Sequence, residues 1–149
     1  TAPWRDGRGA AAAMAAALHD AALDPEDVDY VCAHGTGTKR NDPAEVAGIR
    51  TVFGRHADEL AVSALKGGLG HLLSGAGGVA FACTALAVER DTVPPTANLE
   101  EPDPACDLDF VPGHGREMPV RTAINNAFAF GGQNSTIVLT KYEEGDGDA

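Results

Sequence analysis

Three short segments hold most of the residues in this 149-residue chain whose types and spacing suit chemistry. The first is Ala33-His34-Gly35-Thr36-Gly37-Thr38, with Asp42 and Glu45 shortly after it. An imidazole beside a glycine-rich turn that bares backbone N–H groups and two hydroxyls suits binding of a thioester and its polar arm. The second segment runs Lys66-Gly67-Gly68-Leu69-Gly70-His71 and continues into Ser74-Gly75-Ala76-Gly77-Gly78, so a lysine and a histidine straddle a glycine-rich loop and a charge would lie near an imidazole. The third, Asn125-Asn126-Ala127-Phe128-Ala129-Phe130-Gly131-Gly132-Gln133-Asn134, sets glycines and two phenylalanines between apolar runs. Phenylalanine on such a turn is either a core plug or a gate. Taken singly, each segment also fits a structural role: a histidine bonded at a turn, a solvated lysine, a plain hairpin.

The elements that would position these segments follow from periodicity. Residues 9–23 are nearly all alanine, with Met14 and Leu18 at helical spacing, and predict an amphipathic helix that stops before Asp24-Pro25. Residues 28–33 predict a short strand that delivers His34 at its C-terminal end. Asp42 as N-cap, Pro43 at the first helical position and Glu45 as the acidic partner of a capping box predict the next helix, with Val46, Ile49 and Phe53 on its apolar face and Gly54 ending it. Residues 60–65 predict a second short strand. Residues 79–88 are apolar on nearly every side, which a surface helix does not tolerate, and predict a helix buried inside the fold. A Pro-rich extended connection over 92–104 leads to a short strand within 106–112. Residues 120–127 and 135–142 predict two further strands, the second covered on both faces. Residues 143–149 are acidic and glycine-rich and predict a frayed tail.

Composition narrows the function classes. With 44% hydrophobic residues, only 5% aromatics and 18 glycines, the chain suits one compact α/β core built from close backbone approach. An excess of 22 Asp and Glu over 11 Lys and Arg disfavours a nucleic-acid backbone or an anionic membrane as partner. Cys32, Cys83 and Cys106 are odd in number and lack C-x-x-C spacing, which argues against a disulfide framework and for a reducing, cytoplasmic setting. His34, His71 and Cys32 follow no known metal-ligand spacing, so no metal is expected. No run of about 18 apolar residues and no secretory leader pattern stands in the sequence.

Taken in order, the three segments resemble the β-ketoacyl synthase family, both the type II fatty-acid enzymes and their polyketide relatives. The matching motifs are H-G-T-x-T, K-x4-H with its G-A-x-G continuation, and the closing F-x-F-G-G-x-N. Val93-Pro94-Pro95-Thr96-Ala97-Asn98-Leu99 and Cys106-Asp107-Leu108-Asp109-Phe110-Val111-Pro112 match the family's linkers. The resemblance covers residues 7–142, with residues 143–149 as a tail. It implies the C-terminal half of a thiolase-like fold, in which two similar halves stack as α/β/α/β/α layers.

The resemblance also implies an activity, decarboxylative Claisen condensation of an acyl thioester with a malonyl thioester in fatty-acid or polyketide biosynthesis. His34 and His71 would bind the malonyl carbonyl, and Lys66 would support the His71 side. The Phe130 N–H would form half of an oxyanion hole. Thr36 and Thr38 would hold the phosphopantetheine arm of acyl carrier protein, with no cofactor bound by the chain itself. Phe128, Ala129, Phe130, Gly131 and Gly132 would form a gating turn. The expected partners are an N-terminal synthase half, acyl carrier protein and a second copy of the whole synthase. The family's nucleophilic cysteine lies far upstream of the H-G-T-x-T motif and has no match here, so the chain alone is expected to be inactive. It is expected to occur as a fragment, a nicked product or one subunit of a split enzyme. Two further departures are Ala80, where the type II enzymes usually carry a Glu that pairs with the Lys, and Ala129, where the gate commonly has Gly. A competing expectation is a non-catalytic partner of the chain-length-factor kind. A thiolase is a third class, disfavoured by the H-G-T-x-T motif and the Phe-rich turn.

Overall fold

The computed structural model describes residues 2–143. Helix α1 (Arg8–Ala21) forms where alanine, the residue with least side-chain freedom to lose, fills an almost uninterrupted run. Met14 and Leu18, one turn apart, fall on its buried face. Ala22 then turns left-handed and ends it, two residues short of the expected Leu23. Strand β1 (Tyr30–Cys32) follows, then α2 (Asn41–Phe53), β2 (Ala61–Ser63), the single-turn α3 (Lys66–Leu69) and α4 (Ala76–Arg90). A small antiparallel pair, β3 (Thr92–Val93) with β4 (Arg116–Glu117), precedes the long strands β5 (Thr122–Ala129) and β6 (Gln133–Thr140).

The main sheet has the order β2-β1-β5-β6, with β1 parallel to both of its neighbours and β6 antiparallel to β5. Alternation along the strands sorts side chains to two faces. Val31, Val62 and Ile124 meet Met14, Leu18, Ile49 and Phe53 of α1 and α2, whereas Tyr30, Cys32, Ala61 and Ala123 meet Ala80, Ala87 and Val88 of α4. The described chain is therefore an α/β/α sandwich around one mixed sheet. The strand expected within residues 106–112 is reduced to isolated parallel bridges, Ala61 with Asp109 and Thr96 with Pro112. Of the expected tail, residues 144–149 lie outside the described residues.

Two burial expectations are corrected. Helix α4 buries Ala80, Thr84, Ala87 and Val88, but Val79, Phe81 and Leu86 stand exposed, so it is covered on one side only. Its apolar pattern marks a face suited to being covered, and none of the described residues covers it. Strand β6 is an edge strand whose Gln133, Asn134, Ser135 and Ile137 are exposed, not a strand covered on both faces. Its apolar run is confined to Ile137-Val138-Leu139, and the strand starts on the polar residues Gln133 to Thr136.

The crossing of α1 and α2 is set by two glycines. A Cβ on Gly7 would lie 2.2 Å from the Ala44 carbonyl oxygen and 2.4 Å from the Gly48 nitrogen, and Gly7 also has a left-handed φ of 67°. Gly37 has a similar φ of 70° with nothing near its Cβ position. Gly7→Ala is therefore expected to destabilise the assembled protein by about 3 kcal/mol, against about 1 kcal/mol for Gly37→Ala. Equal losses in denaturant unfolding would show that the helices do not approach this closely.

Candidate active site

Because β1, β2 and β5 run parallel, their C-terminal ends share one edge of the sheet, where α/β folds open a crevice. His34 follows β1, Lys66 opens α3 just beyond β2, and Phe128 lies in the last turn-ward residues of β5. His71 comes from the loop between α3 and α4. These four residues line one cleft of about 860 Å³, together with Thr36, Thr38, Ala80, Ala129, Phe130 and Gly132.

The two imidazoles sit edge to face with ring centroids 5.8 Å apart. Each Nδ1 accepts a backbone N–H: that of Phe128 on His34 at 3.3 Å, and that of Leu73 on His71 at 3.1 Å. A neutral imidazole has one proton, and a donor at Nδ1 assigns it to Nε2. Both rings thus keep an Nε2–H to give. Leu73 provides its amide from the left-handed region, φ 49°, which costs a leucine about 1 kcal/mol. His34 is only 8% exposed, and removal from water, reinforced by the charge of Lys66, lowers its pKa to about 4 from the ordinary 6.5.

The turn that carries His34 is held by a residue whose role the sequence pattern concealed. Glu45 does not close a capping box. Helix α2 begins at Asn41, whose N–H is taken by the Thr38 hydroxyl at 3.2 Å, with no capping bond from Asp42. Glu45 is buried instead, and its carboxylate accepts the His34 N–H at 2.8 Å, the Gly35 N–H at 2.9 Å and the Asn126 side-chain amide at 3.1 Å. Burial raises its pKa, opposed by these three bonds. Asn126, which stands in the third segment but to which the sequence assigns no role, accepts in turn from the Thr136 hydroxyl at 2.7 Å.

Lys66 reaches His34, not His71: its ammonium bonds the His34 carbonyl and lies 3.5 Å from His34 Nδ1. No carboxylate forms an ion pair with it among the described residues, and burial lowers its pKa against the opposing field of Glu45. The Thr36 and Thr38 hydroxyls bond each other at 3.0 Å. The expected gate of residues 128–132 is shorter in the structure, since Phe128 and Ala129 belong to the β5 ladder, paired with Asn134 and Gln133. That leaves Phe130, Gly131 and Gly132 as the loop, with both glycines at positive φ and Phe130 82% exposed. All three cysteines are free; burial raises the pKa of Cys32 and pushes Cys106 up to about 11, the opposite of an activated thiolate.

Residues 1–100 match the family model described as "Beta-ketoacyl synthase, C-terminal domain". The chain belongs to the β-ketoacyl synthases. It is 51% identical over 143 residues to 3-oxoacyl-[acyl-carrier-protein] synthase 2 of Synechocystis sp., covering 96% of this chain and 34% of that protein. The enzyme of the same name from Coxiella burnetii is 47% identical over 141 residues, covering 95% and 34%. Among solved structures, a β-ketoacyl synthase from Burkholderia phymatum superposes with a TM-score of 0.89 at 37% identity, over 96% of this chain and 34% of that one. A type II polyketide synthase acyl-carrier protein in complex with its ketosynthase bound to the hexaketide gives 0.93 at 36% identity, over 96% and 35%. The chain thus spans about a third of the length of the curated relatives it matches. Its fold is the C-terminal portion of the thiolase-like synthase fold, and the three motifs of the sequence meet at one cleft of this synthase domain.

The depressed pKa of His34 has a signed consequence. The fold favours the neutral ring, so its contribution to stability is complete above about pH 6.5 and is lost as the pH falls through about 4. In a 15N-histidine titration His34 is expected to stay neutral until the pH nears 4, and His34→Gln is expected to flatten the fall in thermal stability between these two values. A His34 midpoint near 6.5 would contradict the assignment of burial and local charge as its controls.

Proposed function

We propose that this chain is the histidine-bearing half of a condensing enzyme that joins an acyl thioester to a malonyl thioester with loss of carbon dioxide, in fatty-acid or polyketide biosynthesis. The observation that carries this reading is the pair of imidazoles whose Nδ1 atoms are both tied to backbone amides, which leaves two Nε2–H donors on one cleft. Decarboxylation breaks the carbon–carbon bond to the malonyl carboxylate and leaves its electron pair in an enolate. Negative charge collects on the thioester oxygen, and two neutral donors fixed beforehand stabilise that oxygen more than they stabilise the ground-state carbonyl. The enolate carbon attacks the acyl carbonyl, and a cysteine thiolate leaves.

The cysteine comes from an N-terminal half, which packs on the exposed Val79, Phe81 and Leu86 face of α4. The Phe130 N–H and the N–H of that cysteine form the oxyanion hole for the acyl group. Thr36 and Thr38 bond the phosphopantetheine arm of acyl carrier protein, and whole synthases pair as dimers in the cytoplasm. Alone, the chain has no nucleophile and is inactive. A purely architectural partner subunit gives no reason for two imidazoles tied in the same way on one cleft. Among the described residues no helix is long and apolar enough to cross a membrane.

In the assembled enzyme, His34→Ala and His71→Ala are each expected to lower malonyl decarboxylation by about 10²–10³-fold, the usual loss for one oxyanion donor. Acylation of the cysteine, followed by intact mass, is expected to continue. Normal condensation by either variant would reject the assignment.

A further inference from the structure

Two groups approach Nδ1 of His34, and they differ in what else they serve. The Lys66 ammonium, 3.5 Å away, is already bonded to the His34 carbonyl. The Phe128 N–H, 3.3 Å away, has the better geometry and comes from β5 two residues before the exposed loop. Since that amide points toward β1 and the His34 turn, it is not a rung to β6. Phe128 is held in place by the ladder around it, where it faces Asn134 and is followed by the last pair, Ala129 with Gln133. The Phe128 ring also lies against the imidazole, with centroids 5.4 Å apart and planes tilted by 50°. Beyond Ala129 the chain has only Phe130, Gly131 and Gly132 in which to absorb a displacement before the ladder itself must move. Ala129, less pliable than glycine, stiffens the link between that loop and Phe128.

We propose that Phe128 is a positioning residue whose backbone amide couples the loop of residues 130–132 to the tautomer of His34. With the loop as it stands, the amide occupies Nδ1 and the ring proton is confined to Nε2, facing the cleft. A loop displacement large enough to draw the end of β5 away withdraws the nearer of the two donors and leaves only the Lys66 ammonium, 3.5 Å away and already bonded to the His34 carbonyl, so that Nδ1 takes the proton in a larger fraction of molecules. Nε2 then presents a lone pair to the cleft and has no hydrogen to give to a carbonyl oxygen. His71 is not subject to this control, because its Nδ1 partner, the Leu73 amide, belongs to a different loop. The consequence for condensation rests on the function proposed above; the coupling itself does not.

The test is 15N-histidine NMR of the assembled protein, with the His34 signals assigned by their loss in His34→Gln. Phe128→Pro removes the amide hydrogen and is expected to shift the Nε2–H to Nδ1–H ratio of His34 toward Nδ1–H by about fivefold, the equivalent of one net hydrogen bond, with His71 unchanged. Ala129→Gly, which adds no contact to His34 and is tolerated by a strand end, is expected to shift the same ratio in the same direction by about twofold. Unchanged His34 signals in a folded Phe128→Pro protein would overturn the positioning role. If that variant does not fold, unchanged signals in Ala129→Gly overturn the coupling. A tautomer shift together with histidine variants that condense normally would uphold the coupling and reject the proposed function.

Discussion

A carboxylate buried in this fold must be bonded by donors or take up a proton, and the Glu45 carboxylate is the point on which the site is assembled. Its donors come from three places in the chain: the His34 and Gly35 amides after β1, the Asn126 side chain on β5, and, more weakly at 3.4 Å, the Asn41 side chain at the start of α2. Meeting the needs of one charged group therefore fixes the distance between a helix, a turn and a strand. The turn is the one that carries the imidazole. Asn126 extends the network to β6 through Thr136, so the edge strand is tied to the same centre.

Around this anchor, burial first and the Lys66 charge second keep His34 neutral. The ring is withdrawn from water and faces the Lys66 ammonium, and both effects oppose a second proton. The same positive field favours a negative oxygen arriving opposite Nε2, so one arrangement maintains the donor and stabilises the charge it would meet. Ala80 lines the same cleft without a charge, and the Lys66 ammonium bonds the His34 carbonyl with no carboxylate in an ion pair with it among the described residues.

What the sequence revealed depended on the range over which each cause acts. His34, Lys66, His71 and the Phe130 turn were legible as candidates because motif order fixes them, and β1, β2, β5, β6, α1, α2 and α4 were legible because their apolar periods are local, whereas the single turn α3 lay hidden in a glycine-rich stretch. Glu45 was misread because Asp42 to Glu45 has the spacing of a capping box, while its true partners, the His34 and Gly35 amides, lie eleven and ten residues back in the chain. The resemblance placed Lys66 on the His71 side, whereas the structure bonds it to His34, thirty-two residues away across the parallel pair β1–β2. The apolar run of α4 marked the helix correctly, yet a pattern of residue types cannot tell a face covered by its own chain from one that stands open.

The central claim is that His34 and His71 act together as two Nε2–H donors to one oxygen. It is tested most directly by a crystal structure of the assembled synthase with a non-decarboxylating malonyl thioester analogue bound. The account predicts the thioester carbonyl oxygen at about 2.8–3.2 Å from both Nε2 atoms, with the Phe128 and Leu73 amides still on the two Nδ1 atoms. A carbonyl held by backbone amides alone, with either imidazole turned away from it, would contradict the account.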